Sequence, residues 1–246
     1  MEKTVLGKST IAKLISGIEK PNKGQVSIDN ISTSNKKAFL EIRKKVGIVF
    51  QNPENQILFN NVYDDIAFAM NNLGVENTKE NIENALKKTG MDEYVNSETY
   101  ELSLGQKQRI TISGVIALNP KYIVLDEPTA MLDPEGKEKV YEIVRNLKSQ
   151  GYTIIYITNL MDEILISDKV IVLEDGKIIK AFMKKDILEQ IEFLKEHEIK
   201  IPDMVKIVYE LKNKGIEINL NKWTKEEIVN KIIEASTACL NNGEEE

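Results

Sequence analysis

The sequence is poor in several residue types, and each shortage excludes a class of protein. Its 246 residues include one cysteine, Cys239, and one histidine, His197. A single cysteine excludes an internal disulfide framework and suits a reducing compartment. No apolar run approaches the roughly 20 residues that a membrane-spanning helix needs, and no signal peptide precedes Gly7. We therefore expect a cytoplasmic protein that reaches a membrane only through a partner.

The chain also lacks an excess of positive charge. It has 33 Lys and Arg residues against 39 Asp and Glu residues, for a net charge of -6. This balance argues against nucleic acid as a partner. The hydrophobic fraction of 41% over this length is enough for one large α/β domain, or for a domain with an appendage.

Strands and helices alternate along most of the sequence. Compact apolar runs that indicate strands end near Gln51, Asp126 and Asn159, and helical spacing of apolar residues lies between them. The runs that end near Asp126 and Asn159 are predicted to be buried strands. This alternation predicts an α/β fold with a mostly parallel sheet and with ligands at the carboxyl ends of its strands. A hairpin is predicted to turn at Asp175-Gly176, and the chain reads as mainly helical from Lys184 onward.

The most informative stretch is "YIVLDEPTAMLD". A buried strand would hold Asp126 at its tip, and Glu127 follows at once. An acid in that place can hold Mg²⁺ through water, while the next carboxylate polarises an attacking water. Taken alone, the same letters also fit an exposed acidic turn.

Two further stretches suit a phosphate or a metal. In "LSLGQKQR", Ser103 and Gly105 stand at a helix start, whose free N–H groups and positive end favour an anion. An ordinary serine cap is the alternative. Gln51 follows another strand, where its amide oxygen can ligate a metal, although a plain loop residue fits as well.

Near the beginning of the chain stands Gly7-Lys8-Ser9-Thr10. In a phosphate-binding loop these residues put an ammonium group on the β- and γ-phosphates and a hydroxyl on Mg²⁺. A four-residue match also arises by chance, so the order of the four motifs carries more weight than any one of them.

That order resembles the nucleotide-binding subunit of ABC transporters, from about Gly7 to Ala181. Three segments are similar in sequence to the ATP-binding subunits of energy-coupling-factor importers: "GIVFQNPENQIL", "VYDDIAFAMNNLGV" and "LDEPTAMLDPEGKEKV". These importers take up vitamins and metals such as cobalt or nickel. The resemblance implies a P-loop NTPase (RecA-like) fold, mostly parallel, with a helical subdomain inserted at about 60–118 and without the N-terminal antiparallel strands. It divides the chain into a truncated nucleotide-binding domain, 1–183, and a helical C-terminal extension, 184–246.

The resemblance also implies roles for the matched residues. Lys8 would bind the β- and γ-phosphates, Thr10 would touch the α-phosphate, and Glu127 would be the general base of ATP hydrolysis. Asn159 stands where the family has a histidine and would contact the γ-phosphate. The implied nucleotide-binding residues are Gly7, Lys8, Ser9, Thr10 and Gln51. The implied ligands of Mg²⁺ or of its water shell are Ser9, Gln51 and Asp126.

In the family, two such subunits pair head to tail, so that each ATP lies between the phosphate loop of one subunit and the signature of the other. The implied signature residues are Ser103, Leu104, Gly105 and Gln106, and Asp133 would bridge the interface. The partners would be an identical or homologous ATP-binding subunit and an integral membrane component, whose coupling helix enters a groove beside Gln51. The cofactors would be ATP and Mg²⁺. The protein would lie at the inner face of the cell membrane and would not bind nucleic acid.

The sequence departs from the family pattern at several nucleotide contacts. Aligned on Gly7, two loop glycines fall at Glu2 and Val5, and Leu104 replaces a signature glycine. Such departures fit a chain shortened at its start, sites that have decayed, or both.

Two functions follow: an ATP-hydrolysing subunit of an importer, or a catalytically impaired subunit that lends its signature to an intact homologue. A soluble ABC ATPase of DNA repair or translation is disfavoured, because such proteins usually carry long coiled-coil insertions or two tandem nucleotide domains, and neither is found in this sequence. The C-terminal helices fit dimer packing, or a regulatory ligand-binding domain.

Overall fold

The computed structural model describes residues 7–76, 78–216, 220, 223 and 225–242. Glu2 and Val5 lie outside them. By contacts, the chain separates into two compact units. The first runs to Asn159 and includes Asp175–Lys177, and the second takes Leu160–Glu174 and the chain from Ile178 onward. The predicted domain division at residue 183 stays a prediction.

The first unit contains the parallel sheet that the alternating pattern predicts. Strands β3 and β5 both pair in parallel with β4, in the order β3-β4-β5. The apolar run of β4 is buried from Ile123 to Asp126, as predicted, whereas β5 is only half-buried. The expectation of a second fully buried strand was therefore wrong, because β5 has a strand neighbour on one side only among the described residues. The strands of this unit are β1 Ser27–Ile28, β2 Ile31–Ser32, β3 Val46–Val49, β4 Tyr122–Asp126 and β5 Thr153–Ile157.

Six α-helices are described in the first unit, and several begin at a capping residue. The side chains of Asn61, Thr78 and Asp133 each accept a backbone N–H from the first turn of the helix that follows. Three consecutive helices lie between strands β3 and β4 and form the predicted insertion. The helices are α1 Lys8–Ile15, α2 Phe39–Lys45, α3 Val62–Asn72, α4 Lys79–Lys87, α5 Leu104–Ala117 and α6 Pro134–Ser149.

Strand β3 packs against two helices with its alternate side chains. Val46 and Ile48 share a core cluster with Ala12 of α1, as the two-residue period of a strand requires. On the other face lies Gly47, where an added Cβ would come within 2.3 Å of Val115 Cγ1. Helix α5 therefore lies directly against the backbone of β3.

A two-residue turn joins β1 to β2 and serves as a hub for distant side chains. Asp29 and Asn30 both have left-handed backbone angles, with φ of 48° and 66°, as a type I′ hairpin turn needs. The Asp29 carboxylate accepts hydrogen bonds from Tyr122 Oη at 2.7 Å, Lys121 Nζ at 2.9 Å and Lys45 Nζ at 3.1 Å. These donors hold the pKa of Asp29 well below its usual range.

The second unit contains the predicted C-terminal helices and the predicted hairpin except for Asp175–Lys177, which belong to the first unit. Ile187, Ile191 and Leu194 are buried in its core, as their helical spacing predicts, and Trp223 packs against the same core. No helix in the described ranges is long and apolar enough to cross a bilayer. The elements are β6 Lys169–Glu174, β7 Lys177–Met183, α7 Ile191–Glu196, α8 Asp203–Asn213 and α9 Lys225–Asn242.

Candidate active site

The polar residues that the sequence places after strands lie at one edge of the sheet. Asp126 is the last residue of β4 and Glu127 follows it, while Gln51 and Asn159 come two residues after β3 and β5. These three strands are adjacent and parallel, so their carboxyl ends share an edge. This is the edge at which open α/β sheets bind ligands.

Lys8 reaches the same edge from the start of helix α1. Gly7 precedes it with φ of 124°, a backbone angle that L side chains rarely adopt. Lys8 Nζ donates to the Thr158 carbonyl at 3.1 Å and to the Asn159 Oδ1 atom. Burial lowers the pKa of the Lys8 ammonium, and the nearby Glu127 carboxylate partly opposes that shift. The predicted phosphate-binding lysine therefore lies beside the predicted general base.

The Asn159 amide connects the two charged groups. Its Oδ1 atom accepts the hydrogen bond from Lys8, and its Nδ2 atom donates to Glu127 Oε1. An amide can make both bonds at once because it carries an acceptor and two donors. Asn159 thus orients the ammonium and the carboxylate without adding charge.

Glu127 occupies a strained backbone position. Its φ is 49°, in the left-handed region that non-glycine residues seldom adopt. Its N–H donates to the Ile157 carbonyl at 2.9 Å, which continues the pairing of β4 with β5 by one residue. Such strain clusters at functional sites, and here it turns the chain directly after Asp126.

Asp126 has a buried oxygen to which no described residue donates a hydrogen bond. The residue is 5% exposed, and its Oδ1 atom accepts no hydrogen bond from the described part of the chain. A buried carboxylate oxygen in this state is costly and needs an explanation, such as a bound ion or water. Among the described residues, no group of three or more His, Cys, Asp or Glu side chains is arranged so that it could hold a metal ion. The other predicted ligands of Mg²⁺, Ser9 and Gln51, are exposed, and their contact with a metal stays a prediction.

The predicted signature residues form the beginning of helix α5. Ser103 caps the helix in a reciprocal pair: Ser103 N–H donates to Gln106 Oε1 at 2.8 Å, and Gln106 N–H donates to Ser103 Oγ at 3.3 Å. Such a capping box stabilises a helix by about 1 kcal/mol. The ordinary cap is therefore present, and a contact of these residues with phosphate stays a prediction.

A cleft of about 460 Å³ separates the starts of α5 and α6. Leu104, Met131 and Leu132 give it an apolar wall, and the charged residues Arg109, Lys139, Asp133 and Glu135 also line it.

Asp133 also lines this cleft, but its side chain acts within its own chain. Its Oδ1 atom accepts the Gly136 N–H at 2.8 Å and caps α6. A contact of Asp133 across an interface stays a prediction.

The sequence analysis missed two glutamines that hold the strand end before Gln51. Gln56 accepts the Phe50 N–H at 3.1 Å, and Gln108 donates to the Phe50 carbonyl. Gln108 could have been found, because it precedes Ile112 by one helical repeat and so falls on the buried face of α5. A glutamine on such a face needs a partner.

Comparisons with known proteins agree with this geometry. The sequence model of the ABC transporter family matches residues 5–130. The energy-coupling factor transporter ATP-binding protein EcfA1 of Caldanaerobacter subterraneus subsp. tengcongensis is 42% identical over 226 residues, which cover 91% of this chain and 82% of that protein.

Solved structures give the same result for the fold. The structure of cbiO1 from Clostridium perfringens, part of the ABC transporter complex cbiONQ, matches with a TM-score of 0.68 and 33% identity, over 81% of this chain and 82% of that one. The ADP- and Pi-bound dimer of the ATP-binding cassette MJ0796 matches with a TM-score of 0.63 and 28% identity, over 72% and 80%. The chain therefore belongs to the ABC transporter family, as a relative of its energy-coupling factor ATP-binding proteins.

Proposed function

We propose that this chain binds and hydrolyses ATP to energise an energy-coupling-factor importer of vitamins or metal ions. The observation that carries the proposal is the meeting of Lys8, Asn159 and Glu127 at the sheet edge that also holds Asp126 and Gln51. The names of the relatives support the same role.

The phosphates of ATP would lie at the beginning of helix α1. Ser9 and Thr10 are exposed in its first turn, where unpaired N–H groups and the helix dipole favour an anion. Gly7 would let the backbone approach the phosphates, and the Lys8 ammonium would move from its present acceptors to the β- and γ-phosphates.

Mg²⁺ would be held by Ser9 and Gln51, with the buried Asp126 Oδ1 atom fixing its water shell. When bound, the ion would neutralise charge on the β- and γ-phosphates. Glu127 would accept the proton of the attacking water, and Asn159 would hold the Glu127 carboxylate on the side facing Lys8.

The assembly would be a head-to-tail dimer of ATP-binding subunits at the inner face of the membrane. The cleft with Ser103, Leu104, Gly105, Gln106 and Asp133 would face the γ-phosphate bound by an identical or homologous partner. The similarity to a dimeric cassette supports this arrangement.

A membrane component would dock beside the loop that carries Gln51. The exposed side chains of Leu58 and Tyr100, at 69% and 67%, and the neighbouring rings of Phe59 and Phe68, tilted by 47° to each other, support an apolar coupling helix there. Residues 184–246 would form the helical extension outside the nucleotide-binding domain.

Replacing Glu127 tests the proposal. We expect the purified full chain to hydrolyse ATP in the presence of Mg²⁺, and Glu127→Gln to lose at least about 100-fold in kcat while still binding nucleotide. Lys8→Ala should lose nucleotide binding as well. Equal rates for the wild type and Glu127→Gln would contradict the role of Glu127.

The second candidate is a catalytically impaired subunit that pairs with an intact homologue. Leu104 favours it, because this side chain joins Met131 and Leu132 in an apolar wall where phosphate would have to bind. This candidate predicts a folded chain with little ATP affinity alone that pairs with such a homologue. Binding of Mg²⁺-ATP in the micromolar range by the isolated chain would argue against it.

A further inference from the structure

Helix α5 connects two places that have separate tasks in the proposed function. Its first residues, Ser103 to Gln106, face the cleft, and the next turn contacts the loop that carries Gln51. Lys107 Nζ lies 2.7 Å from Glu54 Oε1, and Gln108 Nε2 donates to the Phe50 carbonyl at 3.3 Å. Both contacts join residues more than 50 positions apart.

The contact with Phe50 bears directly on Gln51. The Phe50 carbonyl and the Gln51 N–H belong to one planar peptide unit. A hydrogen bond to the carbonyl therefore fixes the orientation of the peptide plane that precedes the Gln51 Cα atom. The Phe50 N–H is held separately by Gln56 Oε1 at 3.1 Å. Both backbone groups of Phe50 thus bind side-chain amides, one from its own loop and one from α5.

The surroundings of Gln108 point to a dedicated role. The residue is 0% exposed, and its Oε1 atom accepts no hydrogen bond from the described residues. A leucine would fill the same buried space without an unsatisfied acceptor, so packing alone does not explain an amide here. Gly47 keeps α5 against β3, which makes the connection short and stiff.

We propose that Gln108 is a positioning residue for Gln51, assisted by Lys107. The inference rests on the proposed function, in which Gln51 serves Mg²⁺ at one ATP and the Ser103 end of α5 serves the other. Through Gln108, the position of Gln51 at the Mg²⁺ of one ATP would depend on the position of helix α5, whose Ser103 end would contact the other ATP.

Amide hydrogen exchange of the full chain tests the positioning without nucleotide. We expect Gln108→Leu to speed exchange in residues 50–57 at least about tenfold and to leave helix α6 unchanged. Arg145→Ala, which removes a surface pair with Glu138 inside α6, is the control and should leave exchange in residues 50–57 unchanged. Lys107→Met gives a second variant, with a smaller increase expected, in case Gln108→Leu does not fold. Unchanged exchange in residues 50–57 of a folded variant would overturn the proposal.

The Mg²⁺ requirement of nucleotide binding gives the second test. Gln108→Leu should raise the Mg²⁺ concentration for half-maximal nucleotide binding at least fivefold (about 1 kcal/mol). In a Gln51→Ala background, Gln108→Leu should raise that concentration by less than about twofold. Equal Mg²⁺ requirements in the wild type and Gln108→Leu would contradict this inference but not the proposed function. If the wild type bound no nucleotide, the proposed function would fail, and the exchange result would still decide whether Gln108 holds the loop.

Discussion

At the scale of single residues, Asn159 decides how the site responds to pH. A free histidine side chain titrates near pH 6.5, whereas an amide does not titrate and stays both an acceptor and a donor over the pH range of the assay. The contacts of Asn159 with Lys8 and Glu127 therefore predict hydrolysis without a titration step from this residue.

Asn159→His should introduce such a step. Neutral imidazole can accept from Lys8 and donate to Glu127, but the protonated ring loses its acceptor and adds a second positive charge beside the ammonium. We expect the ATPase rate of the variant to fall below a pH of about 6.5, measured from pH 5.5 to 8.5. Asn159→Ala should lower the rate without a new step. Matching profiles for Asn159→His and the wild type would show that the bridge does not act in turnover.

Asp29 gives a prediction about stability. Its lowered pKa in the folded state stabilises the fold above the unfolded pKa of about 3.9, and this stabilisation is lost as the pH falls from there toward the lowered value. Asp29→Asn should reduce the free energy of unfolding at pH 7, and the gap to the wild type should narrow below a pH of about 4. Urea unfolding at several pH values measures both. A gap that stays constant with pH would mean that the charge of Asp29 is not what stabilises the turn.

At the scale of elements, the packing of α5 on β3 depends on a missing side chain. Gly47→Ala would place a methyl group 2.3 Å from Val115 Cγ1, and overpacking of this kind costs about 1–3 kcal/mol. Urea unfolding should show that loss, and Val115→Ala in the same chain should recover part of it. If the two substitutions were simply additive, the contact would not be the cause.

The elements that the sequence predicts well are those with local signals. The apolar run of β4 and the Ser103 cap of α5 depend on neighbours within a few residues, and the structure confirms both. The half-buried β5 depends on which strand lies beside it, and the Gln108 contact depends on a residue 58 positions away. Such non-local pairings leave little trace in the sequence, except where a polar residue falls on an apolar face.

At the scale of the whole molecule, the cleft between α5 and α6 predicts how two chains meet. The Glu127→Gln variant with Mg²⁺-ATP should sediment as a dimer, because uncleaved ATP would remain between the subunits. Gly105→Glu in that background should stay monomeric, since its carboxylate would repel the phosphates. Gly105→Ala is the matched control, because the atom nearest to an added Cβ is Gly136 Cα at 4.0 Å. A dimer of the glutamate variant would exclude this cleft as the contact surface.

The pairing of β3 with β4 also determines how early the sheet can form while the chain is being synthesised. Val46 pairs with Tyr122, which is synthesised 76 residues later. At about 5–20 residues per second, a ribosome needs on the order of 4 to 15 s to supply that partner. Until then, the apolar strand has no neighbour on its β4 side, and the helices of the insertion emerge before the sheet can close. Slow codons or a chaperone within this interval would affect the yield of native protein more than the same delay after Asp126 has emerged.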